Sequence, residues 1–216
     1  MKSVIFDLDG TLVDSQPLQF FSYRTAFAEI DLDLSWTDWK KYWVNSSINA
    51  YEWAIIKGID FDVEALRQRK RVIYENLIKS ELKVKPGAIE LVDDLLENGF
   101  KLGIASSSSI ESIEFIADLL FKNKFSILQS DTLLDNRKPH PEIFTLTMKR
   151  LGSLPSETVI IEDSVSGYNA AVDSGAISII CPDSRIMPKY EFLRANKLVY
   201  SLHDLNVVDI LDLLSK

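Results

Sequence analysis

Cysteine is almost absent from the chain. Cys181 is the only one in 216 residues, so no intramolecular disulfide can form, and a reducing, intracellular setting is expected. With Ile179-Ile180 before it, Cys181 reads as a small buried hydrophobe at a strand end and not as a nucleophile. Basic residues are also in deficit: 24 Lys and Arg stand against 32 Asp and Glu, a formal net charge of −8. Nucleic acid is bound mainly by cations that neutralise its phosphates, so this balance argues against it as a general partner. A small phosphorylated metabolite stays open, because a metal and one or two cations can meet its charge locally. No apolar run is long enough to span a membrane, and the chain starts in a strand pattern with no charged-then-apolar leader. The expectation is a cytoplasmic protein, acting as a monomer. Repeats and low-complexity segments are missing as well.

What the chain does have is a core, with 46% hydrophobic residues, and one unusual stretch near its start. Val4-Ile5-Phe6 has the look of a strand buried on both faces. It runs into Asp7 and Asp9, followed by Gly10-Thr11. Residues two apart on an extended chain point the same way, so the two carboxylates share one small space. Gly10 then permits a turn that a residue with a Cβ resists. Like charges that close repel unless a cation bridges them or one keeps its proton. Such an arrangement suits a metal site with a nucleophile beside an acid/base.

Beyond Ser15 the pattern turns helical. Pro17 opens a helix carrying Phe20, Phe21, Phe27 and Ile30, and Trp36, Trp39 and Trp43 mark one face of a second. Tyr51, Ile55 and Ile56, with Trp53 alongside, suggest a third, stopped near Gly58, and Asp62 starts a fourth through Leu66, Ile73 and Leu77; the tryptophans read as core. No strand is expected between Asp14 and Pro86. A βαβ crossover needs about 30 residues, so the excess reads as a helical insertion with its own core. From Pro86 the chain alternates: a helix over 87–98 with Ile89, Val92 and Leu96 inward, a strand over 101–105, and a helix capped by Ser108-x-x-Glu111. A strand over 125–128, a helix over 139–151, a strand over 158–161, a helix over 164–174 and a strand over 177–180 follow. The tail closes in an amphipathic helix over 205–214. The predicted fold is α/β: a doubly wound, Rossmann-like parallel sheet formed by 1–14 and 85–216, with an α-helical cap domain inserted over 15–84.

In such a sheet, ligands sit outside the carboxyl ends of the strands. Those ends bring Asp7 and Asp9, the hydroxyl turn Ser106-Ser107-Ser108, and the acids Glu162-Asp163. Lys138, held out of the next helix by Pro139, adds a cation. Taken singly, the serines could be ordinary helix caps and the lysine solvated surface. Together they could hold a phosphate between backbone amides, a lysine and Mg²⁺, a cation that takes hard oxygen ligands.

Asp7-Leu-Asp9-Gly-Thr-Leu-Val-Asp-Ser resembles the first signature of the haloacid dehalogenase-like superfamily, and three further signatures recur in order: Ser106, Lys138-Pro-His-Pro-Glu-Ile-Phe, and Ile161-Glu-Asp-Ser164 with Gly167. The resemblance implies a nucleophile at Asp7 and a general acid/base at Asp9, whose carbonyl also serves the metal. It implies a phosphoryl-binding hydroxyl at Ser106, a neutralising Lys138, and a Mg²⁺ site completed by Glu162-Asp163, with Asp163 the direct ligand. Ser107 joins Ser106 and Lys138 as a phosphate-binding candidate. The dehalogenases lack the second aspartate, so Asp9 implies phosphoryl transfer. The cap resembles that of the phosphatase and β-phosphoglucomutase-like group.

Three positions depart from the mutases of that group: Gln19 in place of a hinge histidine, Ile48 in place of a phosphate-gripping arginine, and Ser109-Ile110 in place of Lys-Asn. The expected activity is therefore Mg²⁺-dependent hydrolysis of small phosphomonoesters, sugar phosphates or related metabolites, through an aspartyl-phosphate. The alternatives are a phosphomutase and a degenerate protein that only binds a phosphorylated ligand. Substrate preference is expected from the cap, at the uncharged turn of Asn45 and Ser47, and at Lys70, which resembles a cap position that turns toward substrate.

Overall fold

A computed structural model of the chain describes residues 2–44, 48–183 and 192–215. These residues divide into two compact units, one of 2–13, 84–183 and 192–215, the other of 14–44 and 48–83.

The first unit is a six-stranded parallel sheet of order β3-β2-β1-β4-β5-β6. Its strands are β1 (Ser3–Phe6), β2 (Lys101–Ser106), β3 (Ile127–Ser130), β4 (Thr158–Glu162), β5 (Ile177–Ile180) and β6 (Lys197–Leu198). This is the doubly wound order, and it reverses direction of growth between β1 and β4. β1 and β4 are buried at every position, which is why they read as continuous apolar runs without alternation. Their faces still divide by period two. Ile5 packs with Ile160, Ile143, Phe144 and Ala170, whereas the Phe6 ring meets Phe125 edge-on at 6.0 Å. Of the helices of this unit, α7 (Glu142–Leu151) packs against α8 (Val165–Asp173), and α5 (Ala88–Glu97) packs against α9 (Val207–Leu214).

The other unit holds α1 (Gln16–Ala28), α2 (Trp36–Trp39), α3 (Ala50–Lys57) and α4 (Val63–Glu81). The main packing is α1 on α4. Its aromatic core gathers Phe20, Phe27, Trp39, Tyr42 and Trp53. The tryptophan spacing does give a packed face, but α2 ends at Trp39 and the chain widens into a π-helix over Lys40–Val44. The Trp39 and Trp43 rings then stack at 5.3 Å.

Several expected details differ. In α5 the buried residues are Ala88, Leu91, Val92 and Leu95, while Ile89 and Leu96 are exposed. In α3 the buried residues are Ala50, Trp53 and Ala54, and Tyr51, Ile55 and Ile56 face outward. In both helices apolar residues on two faces left the period ambiguous. β3 lies two residues later than expected, because Phe121–Lys124 finishes the preceding helix and Phe125 fills the core before the strand starts. α7 starts at Glu142, three residues later than expected, because Pro141 is its N-cap. The two-residue edge strand β6 carries too short a pattern to be recognised.

Candidate active site

Parallel register aligns the strand ends. Phe6 sits opposite Ile104 of β2 and Ile161 of β4. The ladder continues one step past β1, with the Asp7 amide donating to Ile161 O at 2.9 Å. Asp7, Ser106, Glu162 and Asp163 therefore emerge at one edge, around the reversal point, and each is at least 94% buried.

Lys138 joins them. Its ammonium donates to Asp7 Oδ1 at 2.7 Å, Glu162 Oε1 at 2.7 Å and Ala105 O at 3.0 Å. All three protons are thus committed, in a side chain only 5% exposed. Glu162 Oε2 is equally occupied: it accepts from the amides of Asp163 and Ser164 and from Ser164 Oγ. Glu162 is therefore engaged on both oxygens by protein groups, which suits its expected place beside Asp163, the direct ligand of the pair. Gly167 is the reason it fits, since a Cβ there would lie 1.7 Å from Glu162 Oε1.

Asp9 stands on the turn that follows. Its Oδ2 accepts from Ser108 Oγ at 2.6 Å and from Ser106 Oγ at 3.3 Å. Gly10 has φ +96°, and a Cβ there would fall 2.1 Å from Asp163 Oδ2. A glycine is needed on both counts.

Charge does not balance within this cluster. Three buried carboxylates, Asp7, Glu162 and Asp163, surround one buried ammonium. Among the described residues Lys138 pairs with Asp7 and Glu162, and no ion pair reaches Asp163. Burial pushes the Asp7 carboxyl well above the usual carboxylate range despite Lys138. Burial does the same to Asp163, helped by the charges of Glu162 and Asp7. For Lys138, burial would lower the pKa, but Asp7 and Glu162 outweigh it and hold the ammonium charged. A carboxylate excess of this kind fits an added cation. Among the described residues no three His, Cys, Asp or Glu side chains form a metal-ligating group. Two carboxylates with main-chain oxygen are the partial donor set that Mg²⁺ accepts, since it keeps waters and substrate phosphate in its shell.

Of the expected residues, then, Asp7, Asp9, Ser106, Lys138, Glu162 and Asp163 converge. Ser107 does not: it is exposed, and its hydroxyl donates to Asp131 Oδ2 at 2.7 Å. Asn45 and Ser47 lie outside the described residues. Lys70 lies in α4, where its ammonium donates to Gln19 Oε1 and sits 4.5 Å from the Tyr74 ring centroid and 4.9 Å from that of Tyr23.

Ser108 was placed in the hydroxyl turn without a role toward Asp9, and Asp131 was missed altogether. Ser108 was assigned to a helix cap, but the N-cap of α6 (Ile110–Phe121) is Ser109, which accepts from the Ser112 amide. That leaves Ser108 to reach Asp9. Asp131, fully buried, accepts from Arg137 Nε, Ser107 Oγ and the Lys138 amide, so it ties the Lys138 loop to the serine turn. Placing β3 two residues early hid it, because the true strand end puts Asp131 in the same series as Asp7 and Asp163.

An α/β protein of this strand order, with acids at the ends of β1 and β4 around a buried lysine, belongs to a known class of hydrolases. The match is direct: residues 1–175 fit the haloacid dehalogenase-like hydrolase family. The chain belongs to that family and is an enzyme. It is 30% identical to the phosphorylated carbohydrates phosphatase of Thermotoga maritima, over 81% of this chain and 82% of that one. Two solved structures share the fold. CbbY from Rhodobacter sphaeroides in complex with phosphate has a TM-score of 0.84 and 21% identity, over 96% of this chain and 98% of that one. The β-phosphoglucomutase from Clostridium difficile has a TM-score of 0.81 and 23% identity, over 100% and 97%. Among the described residues no helix is long and apolar enough to cross a membrane.

Proposed function

We propose that the protein is a Mg²⁺-dependent phosphatase of small phosphomonoesters, sugar phosphates or related metabolites, acting through an aspartyl-phosphate on Asp7. The enzyme is a haloacid dehalogenase-like phosphoric monoester hydrolase. The observation that carries the reading is the Lys138 ammonium bridging Asp7 and Glu162, with Asp9 on the adjoining turn. A merely ligand-binding member has no need of Asp9.

In the first half-reaction an Asp7 carboxylate oxygen attacks phosphorus, and the bond from phosphorus to the ester oxygen breaks. Asp9 gives its proton to that leaving oxygen. In the second, water loses a proton to Asp9 and attacks the aspartyl-phosphate, releasing inorganic phosphate and restoring Asp7. Lys138 opposes the effect of burial on Asp7 and the charge of the incoming phosphate. Ser106 holds the phosphoryl group, and Glu162 holds Lys138 and the Asp163-Ser164 turn. Asp7, Asp163 and the main-chain carbonyl of Asp9 would hold Mg²⁺, which neutralises charge on the transferring phosphoryl oxygens. Specificity is assigned to the inserted helical unit, at Asn45, Ser47 and Lys70.

Hydrolysis is favoured over mutase chemistry by the three departing positions. Gln19 is engaged with Lys70, Ile48 packs on the aromatic core, and Ser109 caps α6. The test is phosphate release from a panel of sugar phosphates with Mg²⁺, compared with Asp7→Asn. Loss of the nucleophile should lower turnover about 10⁴-fold or more. Near-native release by a folded, uncontaminated Asp7→Asn protein would refute the mechanism.

A further inference from the structure

The serine turn after β2 contributes more than a phosphate cradle. Ser106 and Ser108 both aim their hydroxyls at the same oxygen of Asp9, and the Ser108 bond, at 2.6 Å, is the shorter. Ser108 is itself fixed on two sides. Its amide donates to Ser106 Oγ at 3.1 Å, and its carbonyl accepts from Ser130 Oγ at 2.6 Å. Ser130 in turn pairs with Thr132 Oγ1 at 2.8 Å. The capping duty of the helix falls to Ser109, so nothing in the helix start requires a hydroxyl at Ser108. A short side chain on a doubly anchored backbone has little freedom, and a hydrogen bond it donates fixes its acceptor in turn.

We propose that Ser108 is a positioning residue for Asp9, one that turns the carboxylate so that a proton can pass between it and the leaving oxygen. The inference rests on the phosphatase reading above. The proton itself travels between Asp9 and substrate or water; Ser108 keeps its own. One oxygen of Asp9 is held by the serines, and proton exchange uses the other. A carboxylate free to rotate about its last bond would present the wrong geometry for much of the time, and acid catalysis is lost steeply with misalignment.

The role can be separated from phosphate binding by the leaving group. In a two-step mechanism kcat/KM reports events only up to formation of the aspartyl-phosphate. An alkoxide leaves poorly and needs a proton from Asp9, whereas p-nitrophenolate leaves without one. The experiment measures kcat/KM for glucose 6-phosphate, or the best sugar phosphate of the panel, and for p-nitrophenyl phosphate. The proteins are wild type, Ser108→Ala and Ser108→Thr, each checked by circular dichroism. Ser108→Ala should lower the sugar-phosphate value about tenfold or more relative to the aryl value, and Ser108→Thr should restore most of the ratio. An unchanged ratio overturns the proposal, whether both values fall together (a phosphate ligand or a structural residue) or neither falls. If Ser108→Ala misfolds, Ser108→Gly decides in its place: a lowered ratio supports the proposal and a ratio equal to wild type overturns it. If wild type releases phosphate from neither ester, it is the phosphatase reading that has failed.

Discussion

Replacing Lys138 by Met removes the ammonium while keeping most of the volume of its stem. Two carboxylates then lose their shared partner in a site where Asp7 and Glu162 side chains are 9% and 0% exposed. Breaking a buried pair from one side costs about 3–5 kcal/mol, because the remaining charge stays desolvated. An independent bound comes from protonation. A carboxylate with an ordinary pKa near 4 takes a proton at pH 7 for about three units, each about 1.4 kcal/mol, which caps the cost per group near 4 kcal/mol. The two figures agree. The same reasoning predicts how the loss depends on pH. Burial already raises Asp7 in the folded protein, and Lys138 is the largest influence opposing it. Without Lys138 the folded pKa rises further above the unfolded one. A group of that sign contributes stability that is complete below its unfolded pKa and lost as pH rises through its folded pKa. The deficit of the variant should therefore be small near pH 4–5 and grow toward pH 8. Urea unfolding followed by circular dichroism, in chelator at pH 5 and pH 8, measures it. A deficit under about 1 kcal/mol at pH 8, or one equal at both pH values, would refute the electrostatic account of Lys138.

Gly10→Ala should push Asp163 aside, since the new Cβ would meet its carboxylate, and should cost about 1–3 kcal/mol for the left-handed backbone. Mg²⁺ affinity measured by titration calorimetry should fall about tenfold or more, and unchanged affinity would remove Asp163 from the metal site. Excess Ca²⁺ should inhibit where Mg²⁺ activates, because Ca²⁺ takes more ligands in looser geometry; full activity after exhaustive chelation would contradict any metal requirement. Added hexose bisphosphate should not be needed for turnover, and β-glucose 1-phosphate should yield inorganic phosphate or nothing. Glucose 6-phosphate formed from it far faster than phosphate would establish the mutase.

Much of the fold was legible because a parallel sheet writes itself plainly. Val4-Ile5-Phe6 and Val159-Ile160-Ile161 are apolar on both faces, and the acids begin where the apolar run stops. Asp7, Asp9, Glu162 and Asp163 could be placed together on that ground alone. Lys138 was different: nothing local makes it buried, and only the motif around it pointed to the site. The inserted unit was legible as helical but not in its orientation. Tyr51, Ile55 and Ile56 outnumber Trp53 on α3, yet one tryptophan at 2% exposure against Phe27, Trp43 and the rest of the aromatic core decides which face is inside. A large ring in the core buries more area than several aliphatic residues left at the rim.

The errors in the site share one origin with the errors in the sheet. Periodicity locates elements to within a residue or two, whereas chemistry is decided by single positions at their ends. A shift of one position in the helix cap exchanged Ser108 for Ser109 and so concealed the hydroxyl nearest Asp9. A shift of two in β3 concealed Asp131, which holds Ser107 away from the acids and steadies the loop of Lys138. Asp7 escaped this fate because its place is fixed by hydrogen bonding: its amide extends the ladder to β4, so strand register carries it to the edge. Residues that continue a ladder inherit the certainty of the sheet. Those on the turns beyond it, such as Ser108, are placed by which hydroxyl the helix spends on its own first amides, and the helix here spends Ser109.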